Sequence, residues 1–132
     1  MRFMLDTNIV VDVVRHPHGR VAKRIAEVGE TLVCTSIIVA AELRCGAARN
    51  GAPRLAAQLD SVLGAIEVLP LEAPVDAVYG ALRVRLEEIG HPIGTNDLLV
   101  AAHALTLRCI LVTDNEREFS RIKALAVENW LR

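Results

Sequence analysis

Four acidic side chains stand beside predicted strand ends or helix starts, at positions Asp6, Glu42, Asp97 and Asp114. Asp6 and Asp114 each follow a short apolar strand, and Asp97 lies in the first turn of an apolar helix. Glu42 lies within an apolar stretch that begins at Ile37, where an unpaired carboxylate is costly to bury. If the strands are neighbours in a parallel sheet, these carboxylates meet at one edge of it.

Carboxylates gathered in this way repel one another, and their pKa values rise unless a cation compensates. Oxygen ligands without Cys or His select a hard ion, Mg²⁺ or Mn²⁺. Such an ion orients a water molecule, lowers its pKa and stabilises the charge of a phosphodiester during hydrolysis. The acidic residues therefore indicate a metal-dependent phosphodiesterase.

Each acid also has a purely structural interpretation. Asp6 and Asp97 are equally suited to capping a helix, and Glu42 could pair with Arg44 or Arg49. The group 116–118 is interpreted as a solvated face.

The histidines offer no catalytic base. Three of them lie in turns, and His103 falls more than about 100° round its helix from Asp97. The chain also has no glycine-rich phosphate loop and no Gly-x-Ser-x-Gly elbow, so nucleotide-binding and serine-hydrolase functions are disfavoured.

Alternating strands and helices must position these side chains. Hydrophobic spacing and polar caps predict strands over 2–5, 31–34, 66–69 and 109–112, and helices over 9–15, 20–28, 37–48, 53–63, 74–89 and 98–107. Such alternation favours right-handed crossovers and a mainly parallel central sheet covered on both faces. We expect one three-layer α/β/α domain over residues 1–132.

The composition describes an ordinary domain with its own core. The chain has 132 residues, 52% of them hydrophobic, and 15 basic against 16 acidic side chains give a net charge of -1. This balance disfavours a freestanding, sequence-independent nucleic-acid binder but not an enzyme that handles RNA locally. Arginine-rich segments over 15–24, 44–54 and 117–123 either steer RNA or form a solvated surface.

The three cysteines, Cys34, Cys45 and Cys109, form no Cys-x-x-Cys pair, and we expect buried free thiols. No apolar run approaches the ~20 residues that a membrane span needs. Asp6 interrupts the first apolar stretch before a secretory signal could form. We therefore expect a cytoplasmic protein.

Four blocks of residues resemble one known family. They are Met-Leu-Asp6-Thr-Asn, Ala-Ala-Glu42-Leu-Arg-Cys-Gly, Ile-Gly-Thr-Asn-Asp97-Leu-Leu-Val-Ala-Ala-His-Ala and Leu-Val-Thr-Asp-Asn115-Glu-Arg-Glu-Phe, followed by a terminal Glu-Asn-Trp. In this order they resemble a PIN-domain ribonuclease of the VapC toxin type, and the match spans the whole chain.

The resemblance implies a Mg²⁺-dependent endoribonuclease, the toxin of a VapBC-type pair, usually homodimeric and inhibited by a VapB-like antitoxin. Asp6, Glu42 and Asp97 match the acidic positions of the family. The fourth position, acidic in many PIN domains, falls on Asn115, and Asp114 takes its place only if the loop rotates.

These matches suggest a role for each residue. Asp6 and Asp97 bind Mg²⁺, with Mn²⁺ as the other candidate ion. Glu42 completes the metal shell or orients water, and Asn115 positions water or phosphate. Further possible contacts to phosphate or RNA are Thr7, Asn8, Arg44 and Asp114. Hydrolysis by metal-activated water would leave a 5′-phosphate and a 3′-hydroxyl.

The terminal Glu-Asn-Trp and the Ile-Gly-x-Asn-Asp block resemble the VapC-like branch associated with tRNA cleavage, so tRNA is the favoured substrate. The alternatives are a PIN nuclease of RNA maturation or DNA cleavage and a catalytically silent interaction module, which only Asn115 favours. A haloacid-type phosphatase is disfavoured because position 8 is Asn, and a response-regulator receiver because no late Lys stands at a strand end.

Overall fold

Apolar β-rich segments assemble into the sheet that organises the molecule. A computed structural model describes all residues, Met1–Arg132. Its strands are β1 (Phe3–Leu5), β2 (Val33–Ser36), β3 (Glu67–Leu69), β4 (Ile110–Val112) and β5 (Val127–Glu128). They lie in the order β3-β2-β1-β4-β5, and every neighbouring pair is parallel. The predicted parallel sheet is confirmed.

Seven helices cover the sheet. They are α1 (Thr7–Arg15), α2 (Arg20–Val28), α3 (Ile37–Asn50), α4 (Pro53–Ala65), α5 (Val75–Glu88), α6 (Thr95–Leu107) and α7 (Glu116–Phe119), with a 3-10 turn at Glu30–Leu32. Because a parallel strand must be followed by a crossover, the helices end up on both faces of the sheet. This gives the expected α/β/α arrangement. None of the helices is long and apolar enough to cross a membrane.

The central strands form the middle of the core. Met4 and Leu5 of β1 and Leu111 and Val112 of β4 are inaccessible to solvent. Strands buried on both faces need nearly continuous apolar sequence, which is why these short runs have no polar alternation. The core holds the carboxyl ends of β1 and β4 side by side, with Leu5 paired to Val112.

Polar residues start helices at that carboxyl edge. Asp6 caps α1, and the Ser36 hydroxyl accepts a hydrogen bond from the Ile38 backbone N–H at the start of α3. The helix α6 begins at Thr95, earlier than predicted, so Asp97 lies in its first turn. The same caps that begin the helices therefore bring the acidic side chains to one edge.

Two elements of the chain were not predicted. The helix α7 has four residues and β5 has two, and both are too short to show a hydrophobic period. They are stabilised by distant contacts instead. Phe119 is fully buried, and the Trp130 ring that follows β5 lies 5.1 Å from the Phe3 ring.

The expectation of three buried thiols is wrong at one position. Cys34 and Cys109 are buried in the core, but Cys45 is exposed. Cys45 lies on the outer face of α3, beside the exposed Arg49. The apolar neighbourhood of Cys45 in the sequence did not reveal which face of the helix it occupies.

Candidate active site

Asp6 is the most rigidly held acid of the carboxyl edge. It directly follows β1 and is only 4% exposed. One carboxylate oxygen accepts a hydrogen bond from the Thr7 backbone N–H at 2.9 Å, and the other accepts one from the Thr113 hydroxyl at 2.8 Å. Burial raises the pKa of Asp6, although both hydrogen bonds oppose the shift. Asp6 therefore caps α1 and also places a carboxylate, whose charged form burial disfavours, at the carboxyl edge of the sheet.

Thr113 is a site residue that the sequence analysis did not identify as functional. It follows β4 directly and is completely buried. Its hydroxyl donates to Asp6 and accepts from the Asn115 backbone N–H at 3.0 Å. The only signal in the sequence was its place after a strand. Thr113 connects the loop after β4 to the acid after β1.

Asp97 is the acid whose ionisation is most perturbed. Burial raises the pKa of Asp97 to about 6, and the negative charges of Asp6, Glu118 and Glu42 add to the shift. When protonated, Asp97 is hydrogen bonded to Glu118, which raises the pKa further. We call these four residues the acidic cluster. Their mutual repulsion is what the sequence analysis expected of carboxylates without a cation.

Glu42 lies on α3 and reaches the cluster from the neighbouring crossover. Its carboxylate accepts a long hydrogen bond from the Thr7 hydroxyl, at 3.3 Å. None of the ion pairs in the structure includes Glu42. Arg44, one of its suggested partners and a suggested RNA contact, pairs instead with Asp60 of α4. The structure therefore does not support the interpretation of Glu42 as half of an ion pair with a neighbouring arginine.

The fourth position of the family pattern, Asn115, is hydrogen bonded to a neighbouring acid, Glu118. The Asn115 side-chain amide donates to the Glu118 carboxylate at 2.9 Å. Asp114 is exposed, accepts a hydrogen bond from the Asn8 side chain at 2.9 Å and adds to the repulsion on Asp6. Asn115 therefore positions a carboxylate, while Asp114 and Asn8 lie at the rim.

The interpretation of the group 116–118 as a solvated face is wrong for one of its two acids. Glu116 points away from the cluster, where it accepts a hydrogen bond from Asn129 at 2.9 Å and lies 3.9 Å from Arg132. Glu118 is half-buried and turns toward Asp97. The spacing of three residues from Asn115 to Glu118, one turn of the short helix α7, was the available signal.

The donor set of the cluster suits a hard divalent cation. Every side chain offers carboxylate oxygens, which Mg²⁺ and Mn²⁺ prefer. As placed in the structure, no three such side chains converge closely enough to enclose an ion by themselves. Mg²⁺ commonly keeps several waters and takes only one or two carboxylates directly. The chemistry therefore fits an ion held partly through water.

His103 is buried behind the site and has a structural contact. Its ring nitrogen lies 2.9 Å from the Ser36 hydroxyl, which caps the helix that carries Glu42. Burial lowers the pKa of His103, and a hydrogen bond with the Pro70 backbone opposes this shift. The buried His103 imidazole thus joins α6 to the start of α3.

A mainly apolar groove opens directly beside the cluster. It has a volume of about 310 Å³ and is lined by side chains of α1, α3 and α4, among them Val11, Val14, Leu43 and Leu55. Glu42 and Thr7 form the end of this groove that faces the cluster. An apolar groove with the Glu42 carboxylate at one end suits an amphipathic segment that carries a cation.

Comparison with known proteins shows which family the chain resembles along its length. Residues 3–125 match the PIN domain family. Ribonuclease VapC2 of Rickettsia felis is 38% identical over 132 residues, which cover 98% of each protein. The tRNA(fMet)-specific endonuclease VapC of Shigella flexneri is 33% identical over 131 residues, again 98% of each.

A solved structure shows the same arrangement of the chain. It is VapBC2 from Rickettsia felis bound to a DNA fragment from their promoter, which matches with a TM-score of 0.91 and 35% identity over 98% of this chain and 99% of that one. The range matched to the PIN domain family includes every residue of the acidic cluster.

Proposed function

Because the chain belongs to the PIN-domain family, and within it to the VapC-type proteins, we propose that it is a Mg²⁺-dependent endoribonuclease and the toxin of a VapBC-type pair. The observation that carries the proposal is the cluster of mutually repelling carboxylates at the carboxyl edge of the sheet. The pKa of Asp97 is raised first by burial and then by the negative charges of Asp6, Glu118 and Glu42. A divalent cation is the simplest compensation for these charges.

Asp6 and Asp97 are the residues proposed to hold the ion, with Glu42 and Glu118 completing its surroundings. When bound, the ion would supply positive charge to the phosphate and acidify water beside it. Mn²⁺ would serve the same donor set.

The chain prepares this site through hydrogen bonds. Thr7 and Thr113 fix both oxygens of Asp6, so its orientation is set before any substrate arrives. Asn115 fixes Glu118 in the same way. Asp97 must lose its proton to serve as a ligand, and we therefore expect activity to rise as the pH passes about 6.

Glu42 is the best candidate to accept a proton. The structure gives its carboxylate one hydrogen bond, the long one from Thr7, so the side chain is held less firmly than those of Asp6 and Glu118. A carboxylate at such a position can orient water and take a proton from it. In the proposed reaction the water oxygen bonds to phosphorus, the bond from phosphorus to the 3′-oxygen breaks, and the 3′-oxygen receives a proton.

The favoured substrate is tRNA. This proposal rests on the relative from Shigella flexneri, named a tRNA(fMet)-specific endonuclease, and on the blocks around Asp97 and Trp130. We expect discrete fragments when the protein is incubated with total tRNA and Mg²⁺, and none with EDTA. The fragments should carry 5′-phosphate and 3′-hydroxyl ends.

Parallel incubations with ribosomal RNA, mRNA and single-stranded DNA would identify a different substrate if tRNA stays intact. A 2′,3′-cyclic phosphate end would contradict hydrolysis by water, because that product requires attack by the ribose 2′-hydroxyl. The interaction-module alternative rested on Asn115 alone. Because Asn115 is bonded to the carboxylate of Glu118, the departure at Asn115 no longer favours it.

We further propose that a VapB-like antitoxin inhibits this chain, and that the chain is a homodimer. The structural neighbour from Rickettsia felis is a VapBC2 assembly. The apolar groove beside Glu42 is the proposed docking place, because an amphipathic antitoxin segment could fill it and bring a cation to the cluster.

Gly46 offers a test of that docking place. It lines the apolar groove on α3, and a Cβ built there meets no atom within 4 Å. Gly46→Leu should therefore fold normally, fill the groove and weaken antitoxin binding at least about tenfold, whereas cleavage of RNA should change little. Calorimetric titration of the purified variant with a VapB-like antitoxin that binds the native protein measures the effect.

Gly80→Leu is the matched control for this experiment. Gly80 is also an exposed helical glycine with open space around its Cβ position, but it lies on α5, away from the groove. Unchanged affinity in Gly46→Leu, or an equal loss in both variants, would contradict the proposed docking place.

A further inference from the structure

A second groove, which we call the basic groove, runs along the end of α5. One wall is formed by Leu82, Arg85 and Ile89 and the other by Arg121 and Lys123, and its volume is about 290 Å³. All three cations are exposed, and Ile89 is 53% exposed. The groove therefore combines apolar walls with three positive charges.

The positive charge of this groove is not neutralised by the protein. No acidic residue lines it, and none of its three cations takes part in an ion pair. The Arg121 side chain donates only to the Pro92 backbone carbonyl, at 3.4 Å. Uncompensated cations in a concave surface attract an anionic ligand more strongly than cations on a flat one.

The other cationic surface of the molecule differs in this respect. It lies between α2 and the residues that follow β5, and Glu27 and Glu128 are among its lining residues. Arg24, at its centre, lies 3.5 Å from Glu27 and 4.0 Å from Glu128 and covers the Trp130 ring. Much of the charge there is already paired within the protein.

Both walls of the basic groove are joined along the chain to helices that carry acids of the cluster. The Arg121 backbone N–H donates to the Glu118 carbonyl at 3.3 Å, so that wall begins one turn after Glu118. The opposite wall ends at Ile89, and a short connection leads from there to α6, which carries Asp97 in its first turn. The helices α5 and α6 pack against each other extensively. A strand of nucleic acid that leaves the cluster past Glu118 or Asp97 would run toward the elements that form the groove.

We propose that the basic groove binds the phosphates that flank the cleaved one in the RNA substrate, with its apolar walls against the riboses or bases. This deepens the proposed ribonuclease function and rests on it. Charge complementarity selects the occupant, since three unpaired cations suit a polyanion. Two elements joined to its walls along the chain, α7 and the start of α6, carry Glu118 and Asp97 of the cluster.

The experiment compares RNA binding by two double variants in an Asp97→Asn background, where the RNA stays intact. Arg85→Gln with Lys123→Gln removes two charges of the groove, neither of which is bonded to another side chain. Arg83→Gln with Arg108→Gln removes two charges from exposed positions that lie outside the groove and outside the three arginine-rich segments. The affinity for fluorescently labelled total tRNA is measured as a function of salt.

The groove variant should bind about tenfold more weakly than the parent, and the slope of log affinity against log salt should fall by about 1.4, or ~0.7 per lost phosphate contact. The control variant should keep the slope. In the cleavage-competent protein the groove variant should raise KM and leave kcat unchanged.

An unchanged slope with cleavage intact would overturn the groove as an RNA site and leave the ribonuclease function standing. An unchanged slope together with a smaller mass in sedimentation would also overturn it and assign the groove to a contact between copies of the chain. A parent protein that neither binds nor cleaves RNA would overturn both the groove and the proposed function.

Discussion

Replacing Asp97 by Asn is expected to reduce RNA cleavage at least about 1000-fold and to make the protein more stable in EDTA. The loss of activity follows from removing the charge of a proposed metal ligand, since several kcal/mol of transition-state stabilisation depend on the ion and ~1.4 kcal/mol corresponds to a factor of ten. The gain in stability follows from removing one charge from a cluster of acids that repel one another.

The gain in stability of Asp97→Asn over the native protein should be larger at high pH than at low pH. The pKa of Asp97 rises from its ordinary value of 3.8 to about 6 in the folded protein, so the folded state binds the proton more tightly than the unfolded one. The contribution of Asp97 to the free energy of unfolding is therefore fully present below pH 4 and is lost as the pH rises through about 6. Because Asp97 is partly exposed, the expected difference at pH 8 is about 1 kcal/mol.

Urea unfolding of the two proteins in EDTA at pH 5 and pH 8 measures this difference. Adding Mg²⁺ at pH 8 should stabilise the native protein and have much less effect on Asp97→Asn, because a ligand that binds the folded state shifts its apparent stability. Asp76→Asn is the control, since Asp76 is an exposed acid in the first turn of α5. If Asp97→Asn is the less stable protein at pH 8 in EDTA, repulsion does not dominate the cluster.

The acids that the sequence located share one property. Asp6 and Asp97 each lie close to a boundary between an apolar segment and a polar cap, and Glu42 lies within a helix that begins at such a boundary. These boundaries are visible in hydrophobic spacing. Parallel strands then bring all boundaries of this kind to one edge. Positions along the chain and one topological rule were sufficient to place them together.

Hydrophobic spacing and the topology of parallel strands could not identify Glu118 and Thr113 as site residues. Glu118 lies on a four-residue helix that is stabilised by the buried Phe119 and by contacts with β5, so no local pattern distinguishes its two faces. Thr113 contributes through a hydrogen bond to a residue that is distant in sequence, Asp6. Such a hydrogen bond depends on which strands are neighbours in the sheet, and hydrophobic periodicity does not predict the order of the strands.

Glu118→Gln is expected to reduce cleavage about 100-fold, the upper range for residues that support a metal site. The substitution keeps the size of the side chain and leaves an oxygen to accept the hydrogen bond from Asn115. It removes the negative charge that helps to raise the pKa of Asp97. The variant should therefore bind Mg²⁺ more weakly, and its stability in EDTA should fall less between pH 4 and pH 8 than that of the native protein.

Glu116→Gln is the matched control, two residues earlier on the same helix but bonded to Asn129 instead of the cluster. Activity assays, calorimetric titration with Mg²⁺ and urea unfolding across pH separate the two variants. Equal, small losses of activity in both variants would mean that Glu118 is only a solvated surface residue and that Asn115 is itself the fourth residue of the site. A large effect in Glu118→Gln alone would mean that the Asn at the fourth family position works through the carboxylate that it holds.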